Sequence, residues 1–142
     1  MSAQKLIDPA EKARRAYLES KVQGADPQEL LVMLYDGLLK NVMAGQQALH
    51  DKEWETALDT LVKARRIVTY LTNSLRPEGG DITDQLRSLY AFCFYNIGRA
   101  NLQKDPEPLT GVLKVVRELS SAWVDLAKMK HSDQGVKTGE DL

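Results

Sequence analysis

The 142-residue sequence predicts an all-α fold, an antiparallel four-helix bundle preceded by an N-terminal arm. Apolar residues recur with a period close to 3.6 through the middle of the chain, and no window shows the sustained alternation typical of a strand. Proline, which costs a helix interior about 3 kcal/mol, occurs only at positions 9, 27, 77, 106 and 108. We therefore expect an arm at residues 1–24 with a short capping helix, a bundle domain at 25–130 and a flexible polar tail at 131–142.

Local signals between the apolar runs predict where each helix begins and ends. Residues 26–29 (Asp-Pro-Gln-Glu) supply an N-cap carboxylate, a proline at the first helical position and a glutamate at N3. The first helix is therefore predicted to begin at this proline and to end near Leu49. Polar or turn-forming segments at 50–53, 76–80 and 105–108 then separate it from three further amphipathic helices.

The predicted helices carry more apolar surface than one core requires. On the fourth helix the charged residues crowd into about 100° of arc, and Val115, Leu119 and Leu126 flank the core-facing stripe. The first helix adds Met33 and Met43 beside its own stripe. Two interpretations fit this excess equally well: ordinary packing at the rim of the bundle, or a face that binds an amphipathic partner helix or a second copy of the chain.

Charge and hydropathy argue against several classes of protein. Lysine plus arginine number 19 against 20 aspartate plus glutamate, without the basic excess typical of proteins that bind nucleic acid or acidic membranes. The longest uncharged stretch, residues 88–98, is far shorter than the roughly 20 apolar residues of a membrane helix, and residues 1–18 lack the apolar run of a secretory signal. The single cysteine, Cys93, lies among apolar neighbours, which favours a core residue in a reduced, cytoplasmic protein.

The sequence lacks the motifs of the chemistry that helical bundles usually house. No glutamate is followed by a histidine three residues later, as in the Glu-x-x-His motif of di-iron bundles, and His50 and His131 lie at a helix end and in the tail. Glycine-rich phosphate loops and nucleophile elbows are absent from the sequence. We therefore predict a protein that is not an enzyme and binds no metal or cofactor. The alternative is a histidine phosphotransfer bundle that uses His50, although a histidine there more simply lies near the carbonyls that end a helix.

The first third of the chain resembles a known family. The segment from Tyr17 to Leu39 reads YLESKVQGADPQELLVMLYDGLL. It resembles the opening of the FliS family of flagellar secretion chaperones, which shows an arm tyrosine, a valine, a turn ending in proline and a methionine-leucine-tyrosine-aspartate-glycine run. The residues that carry this motif on the first helix include Leu34, Tyr35, Asp36 and Gly37. Later matches at Gly79-Gly80, Ala100-Asn101 and Ala122-Trp123 extend the likeness over about residues 17–126.

The resemblance implies a cytoplasmic chaperone for flagellin. Such a protein is a four-helix bundle that binds the disordered C-terminal segment of flagellin, prevents its premature polymerisation and delivers it to the flagellar type III export apparatus. A disordered client that folds on binding can wrap a long apolar surface, which agrees with the apolar excess. The sequence leaves open a second partner from the export gate or the flagellar regulatory system, and it leaves open a monomer or a homodimer.

We predict that the second, third and fourth predicted helices form the groove for this client. The candidate groove residues are Leu58, Leu61, Val62, Ile67, Leu71, Ile82, Leu86, Leu89, Ala100, Asn101, Leu119 and Leu126. Some of them must belong to the core, and the sequence does not sort one group from the other. We also predict an N-terminal cap, formed by Tyr17, Leu18 and Val22, that folds over the groove while no client is bound. The alternative is a solvated Tyr17 without this role.

Overall fold

The computed structural model describes residues 9–15 and 27–140, and within these ranges all regular secondary structure is helical. Residues 9–15 are helical and are named α1 here. The remaining elements, in chain order, are α2 (Pro27–His50), α3 (Trp54–Asn73), a short 3-10 helix (Pro77–Gly79), α4 (Asp81–Gln103) and α5 (Pro108–Glu140). The prediction of an all-α fold is confirmed for this part of the chain.

Helix boundaries follow the local signals closely at the start of the bundle and depart from them at its end. Helix α2 begins at Pro27 and ends at His50, one residue beyond the predicted end. Helix α5, in contrast, continues to Glu140, through residues where we expected a flexible polar tail from position 131. The physical reason is that extending an existing helix costs much less than nucleating one, and no proline follows Pro108 to stop it.

The four long helices pack side by side around one core. Helix α2 packs against α3 and α5, and α4 packs against the same two helices from the other side. Each long helix contributes fully buried apolar side chains to this core. Among the largest of these are Leu38, Leu61, Ile97 and Leu109, one from each of the four helices.

A glycine allows α2 and α3 to approach each other closely. Gly45 is buried on α2, and a Cβ atom placed on it would lie 2.5 Å from Cδ2 of Leu61 and 3.1 Å from the hydroxyl oxygen of Thr60. The distance to Leu61 is shorter than real Cβ atoms show, so a larger residue at position 45 would force the buried Leu61 side chain to move. At this contact α3 presents Thr60 and Leu61 to α2.

Two buried tyrosines connect α2 to α4. The hydroxyl groups of Tyr35 and Tyr90 are hydrogen-bonded to each other inside the core, although the residues lie 55 positions apart in the sequence. The ring of Trp123, on α5, lies 6.3 Å from the ring of Tyr35. Burial raises the pKa of both tyrosine hydroxyls, so this polar pair is neutral at physiological pH.

Cys93 is expected to be unreactive while the protein is folded. Burial raises the pKa of its thiol to about 12, and the thiolate is the form that attacks thiol reagents. At pH 8 a colorimetric thiol reagent should label the folded protein on the order of a thousandfold more slowly than the protein in denaturant, where the pKa is about 8.5. Because the chain has one cysteine, the signal belongs to that residue alone. Equal labelling rates in the two states would show that Cys93 is accessible in the native protein.

Candidate functional site

The residues predicted to form the groove fall into three groups by exposure. Four are almost completely buried in the core: Leu61, Ile67, Leu71 and Ala100. Five are half-buried: Val62, Leu86, Leu89, Asn101 and Leu119. Three are exposed: Leu58, Ile82 and Leu126. A partner can reach the second and third groups on the folded surface, whereas the first group supports the bundle from inside.

A groove of about 700 Å³ lies between α3 and α4. Helix α3 lines it with Leu58 and Arg65, and α4 lines it with a run of residues near its C-terminal end. The α4 residues are Phe94, Tyr95, Gly98, Arg99, Asn101, Leu102 and Gln103. The structure therefore brings two of the predicted residues, Leu58 and Asn101, together in one concave surface, which we call the α3–α4 groove.

The guanidinium group of Arg65 forms part of the wall of the α3–α4 groove. It lies over the ring of Phe94, with Cζ 3.9 Å from the ring centroid, in a cation–π contact. Gly98 makes room for it, because a Cβ atom at position 98 would lie 3.2 Å from Cζ of Arg65. The Nε atom of Arg65 is buried and has no hydrogen-bond partner among the described residues.

The charge of the α3–α4 groove differs from that of the chain as a whole. Within the described part of the chain, Arg65 and Arg99 line it, and no aspartate or glutamate does. Lys104 follows the lining residue Gln103 in the sequence, and its ammonium group lies 5.1 Å from the ring centroid of Trp54, the first residue of α3. The chain has a formal net charge of -1, so this cationic surface is a local feature.

The other accessible residues of the prediction lie around this groove or at the edge of the core. Val62 and Leu58 line a neighbouring hollow on α3, in which Lys63 pairs with Asp59 at 3.1 Å. Leu86 on α4 and Leu119 on α5 pack against the core from outside. The predicted residues therefore extend beyond the α3–α4 groove rather than forming one compact pocket.

Sequence reasoning missed most of the groove's lining on α4. Phe94, Tyr95 and Leu102 lie off the helix's buried stripe, and all three are exposed. The available signal was the cluster of aromatic residues at positions 92, 94 and 95, which places large apolar side chains on several faces of one helix. Such a cluster predicts apolar exposure on at least one side of α4.

The family motif on α2 contributes side chains to the core. Leu34 and Tyr35 are buried, and Asp36 forms an exposed ion pair with Lys40 at 2.9 Å. Gly37 lies where α1 meets the bundle, because a Cβ atom on it would be 3.8 Å from Cβ of Pro9. The motif residues therefore contribute to the core and to the contact with α1, and they do not line the α3–α4 groove.

The N-terminal arm is described only over residues 9–15. Ala10 and Ala13, on α1, are buried in the core cluster. The predicted cap residues Tyr17, Leu18 and Val22 lie outside the described residues. The cap therefore stays a prediction.

The structure also bears on the alternative histidine site at His50 and on the expected absence of a metal site and a membrane helix. His50 is the last residue of α2, and its exposed ring lies 3.5 Å from a carboxylate oxygen of Asp51. Among the described side chains of residues 9–15 and 27–140 there is no cluster of three histidine, cysteine or acidic groups placed to bind a metal. Over the same residues no helix combines the length and hydropathy required to cross a membrane.

Comparison with known proteins agrees with the resemblance seen in the sequence. The family model described as flagellar protein FliS matches residues 10–130. A flagellar secretion chaperone FliS from Vibrio cholerae is 29% identical over 127 residues, covering 89% of this chain and 93% of the relative. The proteins of the same name from Escherichia coli and Bacillus subtilis are 31% and 27% identical, covering 80% and 84% of this chain and 88% and 89% of the relatives. The chain therefore belongs to the FliS family.

Proposed function

We propose that this protein is a cytoplasmic, non-enzymatic chaperone that binds the disordered C-terminal segment of flagellin. It prevents premature polymerisation and delivers flagellin to the flagellar type III export apparatus. The observation that carries the proposal is the exposed apolar surface of α3 and α4 on a member of a family whose relatives are named flagellar secretion chaperones. That surface suits binding of a peptide, and the proposal assigns no residue a catalytic part.

We infer that the four long helices are antiparallel neighbours. The connections between them are short, at residues 51–53, 74–80 and 104–107, and each joins helices that pack together. Short connections between packed helices favour an up-and-down order. In that order the exposed sides of successive helices form grooves that run along the bundle, which suits an elongated client.

A disordered client matches the distribution of the accessible candidate residues. They occur on three helices, with Leu58 on α3, Ile82 and Asn101 on α4, and Leu126 on α5. A rigid globular partner contacts one face, whereas a segment that folds as it binds can follow a surface around the bundle. The ordering cost of such a client keeps its affinity moderate for the area it covers, which also allows its release at the export apparatus.

The test of the proposed function is binding to the host's own flagellin. Purified monomeric flagellin should form a complex with this protein, and flagellin without its C-terminal segment should bind at least about a hundredfold more weakly, because the apolar contacts are lost together. Isothermal titration calorimetry measures both affinities, and flagellin shortened at its N-terminus is the matched control. Equal binding of the intact and C-terminally shortened forms would refute the assignment of the client segment.

A further inference from the structure

The α3–α4 groove exposes large apolar side chains that the bundle itself does not use. Leu102 is 86% exposed, Tyr95 is 65% exposed and Leu58 is 54% exposed. Scattered apolar residues on a surface require no explanation, but several that line one concave surface indicate a binding site. Trp54, one turn before Leu58 on α3, is also exposed, and the ammonium group of Lys104 lies 5.1 Å from its ring centroid.

Among the described residues, neither arginine of the groove has a carboxylate partner. No carboxylate among the described residues lies within 4.0 Å of Arg65 or Arg99, although Lys63, on the same helix as Arg65, does pair with Asp59. Arg65 is half-buried, with its Nε atom withdrawn from solvent, so part of its hydration is already lost. The contact with Phe94 offsets some of this loss and holds the planar group in place.

A fixed, partly desolvated guanidinium group is well suited to bind a carboxylate. Its donors match the two oxygens of an aspartate or glutamate, and less side-chain freedom is lost on binding because the group is already held. Arg99 adds a second positive charge to the same groove. The surrounding leucine and aromatic side chains would at the same time contact apolar residues of the same ligand.

We propose that the α3–α4 groove binds an acidic amphipathic segment of the client, whose carboxylates pair with Arg65 and Arg99 while its apolar side chains cover Leu58, Phe94 and Leu102. This inference rests on the proposed chaperone function and adds the chemistry by which the client is recognised. A second copy of this chain fits less well, because a two-fold contact through this groove would bring the arginines of both copies together without any carboxylate from the lining.

The first test compares two charges at one position. Leu102→Glu and Leu102→Lys both remove the same exposed leucine, but they place opposite charges beside the arginines. An acidic client should bind the Glu variant about three- to tenfold more weakly than the Lys variant, since one charge repels its carboxylates and the other attracts them. Titration of host flagellin into each variant measures the difference, and circular dichroism checks that both variants are equally helical.

The second test removes the positive charges without reversing them. The double variant Arg65→Gln with Arg99→Gln should bind flagellin roughly tenfold more weakly at low salt and should lose most of the salt dependence of the wild type. Arg117→Gln is the matched control, because Arg117 is an exposed arginine on α5 that does not line the groove. It should leave both the affinity and its salt dependence near those of the wild type.

The outcomes separate the inference from the function on which it rests. Suppose that wild-type protein binds flagellin but the double variant Arg65→Gln with Arg99→Gln has the same affinity as Arg117→Gln, or that the two Leu102 variants have equal affinities. The groove then does not recognise an acidic segment, and the chaperone function stands. Failure of wild-type protein to bind flagellin overturns both. If sedimentation shows that the wild type is a dimer dissociated by Leu102→Glu, the groove is an interface between copies, and this also overturns the inference.

Discussion

Leu61→Asp is expected to unfold the protein, whereas Leu58→Asp, almost one turn earlier on the same helix, is expected to keep the fold and lose client binding. Leu61 is 0% exposed, and Leu58 is 54% exposed. Loss of a buried leucine alone costs about 2–5 kcal/mol, and an aspartate in its place adds the cost of burying a charge without a partner. The sum approaches the whole stability of a small domain, about 5–15 kcal/mol.

The two aspartate variants form a matched pair, because they make the same chemical change on one helix. Urea denaturation followed by circular dichroism gives the free energy of unfolding of each, and titration with flagellin gives the affinity of any variant that folds. Leu58→Asp should change the free energy of unfolding by less than about 1 kcal/mol, since exposed positions tolerate polar residues. A cooperative unfolding transition for Leu61→Asp near that of the wild type would place Leu61 on an accessible surface, contrary to the structure.

Tyr35→Phe is expected to destabilise the protein by about 1–3 kcal/mol, because it leaves the buried hydroxyl of Tyr90 without its hydrogen-bond partner. Tyr90→Phe should cost a similar amount, about 1–3 kcal/mol, since it leaves the buried hydroxyl of Tyr35 without the same partner. The double variant should be less destabilised than the sum of the two single changes, by about 1 kcal/mol, because it leaves neither hydroxyl unpaired.

Denaturation of the four proteins in this cycle by urea measures the coupling energy between Tyr35 and Tyr90. Tyr95→Phe is the control, because Tyr95 is an exposed tyrosine on α4, and its change should be within about 0.5 kcal/mol of zero. Strict additivity of the two single changes would show that the hydroxyls do not interact in solution.

Alkaline pH gives a second measure of the same pair. Burial raises the pKa of both hydroxyls, so the folded state holds these protons more tightly than the unfolded state does. Their contribution to stability is therefore complete below about pH 10, the ordinary tyrosine pKa, and is lost as the pH rises above it. The double phenylalanine variant should lose less stability than the wild type between about pH 10 and 11.

The sequence by itself determined the helical class and the start of the bundle. The apolar period and the cap at residues 26–29 depend only on residues a few positions apart, so the prediction of α2 from Pro27 was accurate to within a residue or two. The family also followed from the sequence, because its motif on α2 is a contiguous run of residues. At the other end, local signals indicated a polar tail from residue 131, and α5 continues to Glu140.

Only the tertiary structure decided which apolar residues belong to the core and which remain available to a partner. Leu58 and Leu61 fit the same helical stripe, yet one is exposed and the other is enclosed, because burial depends on where α2 and α4 lie against α3. The Tyr35–Tyr90 pair and the position of Arg65 over Phe94 likewise join residues that are far apart in the sequence. Periodicity specifies a direction around one helix axis, whereas a groove is a relation between two helices, and this relation is fixed by packing at contacts such as Gly45 against Leu61 and Gly98 against Arg65.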